Sequence, residues 1–225
     1  MIPSPSSPKH DNRNPNNLRD LATRYKAILD VNNAIINQTN CETFFRKMAK
    51  EIRKIIPYDR FSISIYELDS HVLSWFAMAD GMAIPEIDGG PRLLDKNSIA
   101  GTVVISRKPL LIKDISHYAH WPTVRLLKNA GIQSAIGIPL IVRDIAIGSL
   151  NFCFKNPPAI MEELKSFLVD LSLQIAISVD NLLSHNRLAR LNESLEEQKN
   201  YLLGQVYKKY SPDKFYYQSS SMQKI

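Results

Sequence analysis

GIPLIVRDIAIGSLNFCF, residues 137–154, holds two apolar runs on either side of Val142-Arg143-Asp144, where a tight reversal fits. Ile136, Ile138, Leu140 and Val142 alternate along the first run, and Leu150, Phe152 and Phe154 share one parity of the second. Alternation of this kind predicts a β-hairpin buried on at least one face. Pro139 has no donor, which predicts an edge, a bulge or a strand end there, and Gly148 predicts close approach of another backbone. Working outward, Asn156-Pro157-Pro158 closes the sheet. Leu164, Phe167, Leu168, Leu171, Ile175, Ile177 and Val179 then cover the broad face of a helix packed on it. Beyond Asp180 the stripe narrows to Leu188, Leu191, Leu195, Gln198 and Leu202, with charged residues between. A stripe this narrow predicts a coiled coil. Gly204 and Ser211-Pro212 are expected to end it.

On the other side, FSISIYEL (residues 61–68) alternates Phe61, Ile63 and Ile65 against Ser62, Ser64 and Tyr66, and Asp69-Ser70 turns it into a strand reaching Met78. Ahead of that hairpin lie two helical stripes. The first is Leu21, Tyr25, Ile28, Leu29, Asn32, Ile35 and Ile36. The second is Phe44, Phe45, Met48, Ile52, Ile55 and Ile56, capped by Thr39 or Asn40 and stopped by Pro57. Between the hairpins, residues 79–97 read as loop with a short strand near Arg92. Ser98 caps a short helix in which Gly101 costs about 1 kcal/mol of propensity, so close backbone packing should compensate. Pro109–Ile112 extends, Asp114 opens a polar-aromatic loop, and Pro122 starts a helix ending at Asn129-Ala130-Gly131. The expected strands are 61–68, 71–78, 87–94, 109–112, 134–143 and 145–154. The class is α+β: a central six-stranded antiparallel sheet with helices on both sides. The N-terminal pair and the long C-terminal helix share one face, and the crossing segments cover the other.

The chain has 225 residues, 44% of them apolar, with 28 basic and 22 acidic residues for a net charge of +6. This suits one domain with appendages: a disordered tail over 1–17, a sensor-sized domain over 18–184, a coiled-coil linker over 185–210, and over 211–225 the start of a further module. The basic residues are scattered, which argues against direct nucleic-acid contact within this stretch. No run approaches the eighteen apolar residues of a membrane span, and Pro3, Pro5 and Pro8 interrupt any signal sequence, so no membrane association is expected. Two cysteines, Cys41 and Cys153, form neither a disulfide framework nor a zinc pattern. Free thiols in a cytoplasmic setting are the expectation.

Helix–helix–FSISIYEL, SIAGTVVISRKPLLIKDI and SAIGIPLIVRDIAIGSLNFCF before a long helix together resemble the GAF family, with Gly101, Pro109, Asp114, Pro139-Leu140 and Gly148 on its recurring positions. The turn at Arg143-Asp144 lacks the glycine often found there. The resemblance covers roughly 20–183 and implies a profilin-like GAF fold whose ligands range from cyclic nucleotides, tetrapyrroles and haem to iron, small acids or none. In the tail, KFYYQSSSMQKI resembles the opening of the AAA+ ATPase of sigma-54-dependent transcriptional activators, through Ser221, Met222 and Gln223. It implies a regulatory region whose partners are the AAA+ and DNA-binding modules of a longer chain.

The family's pocket lies between the sheet and the segments crossing it, here 75–95 and 110–130. That makes Trp75, Met78, Asp80, Arg92, Tyr118, His120, Trp121, Arg125 and Cys153 the candidate ligand-binding residues. Several aromatics and an arginine suit a small anionic or planar organic ligand. The plainer alternative is that Trp75 and Trp121 close the end of the core while Arg125 is solvated. His117, His120, Asp114 and Cys153 could hold non-haem iron, by analogy with nitric-oxide-sensing relatives, but the spacing is loose and surface histidines are the better reading. Cys153 between Phe152 and Phe154 reads as a buried, inert thiol. No Walker loop, nucleophile triad or paired carboxylates appear, and residues 75–130 lack the cysteines that a GAF-related methionine sulfoxide reductase would need. The expectation is therefore no catalytic site and no metal. Three readings remain: a small-molecule sensor controlling a sigma-54-activator ATPase, a ligand-free dimerisation scaffold, or, least supported, an enzyme. A homodimer through Leu188, Leu191, Leu195 and Leu202, assisted by the first helix, accompanies the first two.

Overall fold

Stripes spaced by threes and fours become two leading helices, α1 (Pro15–Ile35) and α2 (Cys41–Arg53). The computed structural model describes residues 15–35, 40–67, 72–75, 80–88 and 92–209. Order in α1 starts at Pro15 and not at Leu18, with the proline where its missing N–H costs nothing. Among the described side chains Ala27, Val31 and Ile35, four apart, are buried; Ile35 belongs to the expected stripe, while its Tyr25 and Leu29 face outward. The core-facing stripe therefore lies on an adjacent face of the helix. Asn40 is the cap of α2, accepting from the amides of Glu42 at 2.8 Å and Thr43 at 3.1 Å. Thr39 lies outside the described residues.

The sheet contains β1 (Arg60–Glu67), β2 (Val72–Trp75), β3 (Asp80–Gly81), β4 (Arg92–Leu93), β5 (Leu110–Ile112), β6 (Ser134–Val142) and β7 (Ile145–Phe154). Neighbours run β4-β2-β1-β7-β6-β5, every pair is antiparallel, and β3 joins the start of β1. Five of these strands are three residues or longer. Of the expected strand over 87–94, Arg92–Leu93 is extended, Ile84–Asp88 forms a turn in which the Ile87 and Asp88 amides donate to the Ile84 carbonyl, and 89–91 lie outside the described residues. The expected extension of β2 to Met78 falls partly on residues outside those described.

In the β6–β7 hairpin Val142 pairs with Ile145, leaving Arg143 and Asp144 as a two-residue loop with φ of 49° and 64°. Two left-handed residues make a type I′ turn, whose twist matches that of the strands. The Arg107 guanidinium braces it, donating to the Asp144 carbonyl at 3.0 Å. A bulge follows Leu140, and beyond Gly137 the outer edge of β6 has no β5 partner, so Pro139 sits where a missing donor is tolerated. A Cβ on Gly148 would lie 2.2 Å from the Ser64 carbonyl oxygen, the close approach that its position predicts.

Side-chain parity gives the sheet two different faces. On one, Phe61 stacks between Phe45 of α2 (5.4 Å) and Phe152 of β7 (4.7 Å), with Tyr58 against both Phe61 and Phe152. α1 packs on α2 and shares a groove with α5 (Met161–Lys209). The other face is crossed by α3 (Ile99–Ser106), a 3-10 turn (Ile115–Tyr118) and α4 (Pro122–Asn129). There, Ile99 and Val103 cover Gly137 so closely that a Cβ would meet them at 2.7 and 3.0 Å. The Gly101 of α3 lies equally close to the Asp95 carbonyl, where a Cβ would come within 1.9 Å, so this glycine's propensity cost has its compensation.

The chain divides into two units, residues 1–182 and 183–225. In the first, Phe167, Leu168, Leu171, Ile175, Ala176, Val179 and Leu182 of α5 are buried. One eighteen-residue window of this helix reaches a mean hydropathy of 1.4 with 44% of it buried, so a run of spanning length and composition does exist, contrary to expectation. Its apolar content includes this core-facing stripe. In the second unit the helix continues through Gly204, which meets nothing within 4 Å, to Lys209. Helical propensity there outweighs one glycine, so the expected stop is not used. The linker leucines are exposed. The expected disordered tail lies outside the described residues up to Asn14, and so does the module start over 211–225.

Candidate ligand site

The face of β1 opposite Phe61 carries Arg60, Ser62 and Ser64, and its antiparallel partner β7 places Cys153, Asn151 and Ser149 directly across from them. All six are buried, Ser64 and Ser149 completely. A polar stripe therefore runs down the middle of the sheet, beneath α3 and α4. Polar groups withdrawn from water need partners. The Asn151 amide donates to Ser149 Oγ at 3.2 Å, whereas Ser64 Oγ has no protein partner.

At the end of the stripe sits Arg60, 2% exposed. Its Nη1 donates to the Met82 carbonyl at 2.5 Å, and its Nη2 pairs with Asp88 Oδ1. The second Asp88 oxygen accepts the Ile84 amide at 2.8 Å. One guanidinium thus fastens the whole 82–88 turn over the sheet, with Ile84 and Ile87 pushed into the core. A buried cation of this kind requires its counter-charge, because an unpaired guanidinium would carry an uncompensated desolvation cost.

Between stripe and crossing segments lies a cavity of about 40 Å³, lined by Arg60, Ser62, Asn151 and Cys153 from the sheet, Ile87 and Ser98 from the loops, Ile99 and Ala100 of α3, and Thr123 and Leu127 of α4. It has room for about three waters or a handful of ligand atoms. Ser98 also caps α3, accepting the Gly101 amide at 3.0 Å. Burial pushes the Cys153 thiol up to about 12, and the nearby Arg60 charge only partly offsets this. Cys153 is thus a neutral, unreactive wall.

Of the candidates read from sequence, Cys153 alone among the described side chains lines this cavity. Trp121 is buried in the neighbouring apolar cluster, with the ring of half-buried Tyr118 at 4.9 Å and that of exposed His120 at 5.9 Å. The tryptophan thus closes the core. Arg125 is exposed on the outer face of α4, two residues from each of the cavity-lining Thr123 and Leu127. Asp80 pairs with Phe61 beside Arg60 but serves the opposite face of the sheet, the one towards α2. It accepts from Arg53 Nε at 2.9 Å and from the Tyr58 hydroxyl at 2.5 Å, holding the Arg53 pKa up, while burial drives the Tyr58 pKa upward. Met78 lies outside the described residues, and of Trp75 and Arg92 only the backbone is described. Among the described residues no three His, Cys, Asp or Glu side chains gather as a metal site. His117 and His120 are at the surface, while Cys153 is deep in the core.

The residues that sequence reasoning missed are Arg60, Ser62 and Asn151. The signal was available as parity: Ser62 and Ser64 on one strand and Ser149 and Asn151 on another, in a sheet expected to be covered on both faces.

The GAF domain family model matches residues 40–179, and the chain belongs to that family. It is 23% identical over 206 residues to the DNA-binding transcriptional activator HyfR of Escherichia coli K12, spanning 89% of this chain but 30% of that protein. The match thus covers less than a third of the relative's length. The GAF domain of a phosphoenolpyruvate-protein phosphotransferase from Coxiella burnetii superposes with a TM-score of 0.63 at 16% identity, over 74% of this chain and 98% of that one. Free methionine-R-sulfoxide reductase from Neisseria meningitidis, in complex with its substrate, gives 0.59 at 13% identity, over 76% and 93%. These likenesses concern the fold.

Proposed function

We propose that this chain is a cytoplasmic small-molecule-sensing region that controls a sigma-54-dependent ATPase module C-terminal to it, and through that module transcription. The observation carrying this reading is the buried polar stripe with the cavity beside it. Arg60 fastens the 82–88 turn, but a sheet face covered by helices has no packing reason to bear Ser62, Ser64, Ser149 and Asn151 as well, each of which costs desolvation free energy. Such groups are suited to a ligand whose hydrogen bonds repay that cost. The likeness to a transcriptional activator and the Ser221-Met222-Gln223 piece support the regulatory context. α5 begins in the sensing domain and continues into the linker, so a change in cavity occupancy has a covalent route to the output module. In this reading the domain binds without turnover, and neither nucleic acid nor membrane contacts it.

The test is native mass spectrometry of the purified protein beside its denatured mass, followed by a thermal-shift screen of small metabolites. A mass excess lost on denaturation, or a metabolite shift abolished by Asn151→Leu, supports the sensor. Neither result in a well-folded protein would overturn it.

A second reading is favoured by a different observation. Tyr25, Leu29 and Leu173 are exposed along a groove between α1 and α5, and Leu188, Leu191, Leu195 and Leu202 are exposed in the linker. These surfaces suit a homodimer, in which case the domain serves as a scaffold whether or not the cavity is filled.

A further inference from the structure

The charge balance at Arg60 narrows what the cavity can accept. The guanidinium is 2% exposed and lines the cavity, and the single carboxylate against it belongs to Asp88, whose side chain is 29% exposed. A buried cation holds one counter-charge well. A second anion beside Asp88 would face repulsion at low dielectric, and removing Asp88 without replacement would strand the cation. Resting on the sensing role proposed above, we infer that Asp88 is a built-in occupant of a carboxylate site, and that the ligand is a small monocarboxylate that exchanges with it on Arg60.

The size agrees. A cavity of about 40 Å³ accepts a ligand of a few heavy atoms. The surroundings agree too: the Ser62 hydroxyl and Asn151 amide can satisfy polar atoms of such a molecule, and Ile87, Ile99 and Leu127 can take a short apolar stem. A neutral ligand would have no reason to displace Asp88, and a cation would be repelled by Arg60. Exchange also has a structural consequence. Asp88 holds the Ile84 amide as well as Arg60, so its departure unfastens the 82–88 turn that leads towards β4. Occupancy is thereby converted into release of a loop.

Acetate, the aspartate side chain as a free molecule, is the probe. Asp88→Asn keeps the shape and removes the competing charge. The wild-type carboxylate competes at the high effective concentration of a tethered group, so the variant should bind acetate at least about tenfold more tightly. Calorimetric titration would read this, with chloride at equal ionic strength and acetamide as the neutral shape match. Arg60→Met in the Asp88→Asn background should abolish the gain. A folded Asp88→Asn protein that binds acetate no better than wild type, or responds equally to acetamide, overturns the inference.

Hydrogen exchange on the wild-type protein tests it without a variant. The Ile84 and Asp88 amides should lose protection at high acetate and keep it in chloride, and unchanged protection overturns the exchange. The broader sensing role stands apart from either failure. A metabolite of another class would still give a thermal shift in wild type that Asn151→Leu removes.

Discussion

Ser64 and Cys153 lie on the same buried sheet face and make opposite demands. The Ser64 hydroxyl is fully buried without a protein partner. Such a group destabilises the fold, so Ser64→Ala should raise stability by about 1 kcal/mol in urea titration. A loss of stability instead would mean that a bound molecule satisfies the hydroxyl in solution. The Cys153 thiol is held protonated by burial, its pKa pushed up to about 12. Between about pH 9 and that value the unfolded chain releases a proton that the folded state keeps, so stability falls as pH rises through this window. Cys153→Ala should flatten the fall from about pH 9 upward. Tyr58, also raised by burial, should keep the decline going above about pH 10 even in that variant. Urea midpoints measured across this range check both, and parallel curves for the two proteins would refute the assignment to Cys153.

At the scale of elements, the β6–β7 hairpin is the part most legible beforehand, and its turn is the least well optimised. Arg143 and Asp144 both sit at positive φ, which costs residues with a Cβ about 1 kcal/mol or more each. Replacing the pair by Asn-Gly should stabilise the protein by about 1 kcal/mol, seen as a rise of about 2–4 °C in Tm. The Arg107 contact is to a backbone carbonyl and survives the change. The opposite outcome is expected at Gly148→Ala. The new methyl would strike the Ser64 carbonyl across the β1–β7 pairing, where no flexible side chain can yield, and a loss of about 3 kcal/mol is expected in the same titration. The α1 stripe shows what element-level reading misses. Tyr25 and Ala27 both fit a helical period, and only the position of α2 selects Ala27, Val31 and Ile35 for burial.

For the whole molecule, the two units make separate predictions. The unit over residues 1–182 should keep its fold when the linker is altered. The linker leucines, solvent-exposed in the single chain, should matter only for association. If the proposed coiled coil forms, Leu191→Asn with Leu195→Asn should convert a dimer to monomer in sedimentation velocity while the unit over residues 1–182 stays folded. An unaltered mass would remove the coiled coil from the account.

Local spacing determined the order of helices and strands, the hairpin at 137–154, the caps at Asn40 and Ser98 and the close approaches at Gly101 and Gly148, because each depends on residues near one another in the chain. Spacing also fixed that Ser62 and Ser64 share a face. It could not fix that this face is covered by Ile99 and Leu127, some forty to sixty residues further on, nor that Arg60 would find Asp88 there. The expected candidates were therefore loop aromatics, Arg125 and Cys153, while the cavity that tertiary structure forms is lined by Arg60, Ser62 and Asn151 beside Cys153. Burial is a property of what packs above a residue, and a periodic pattern carries no record of that.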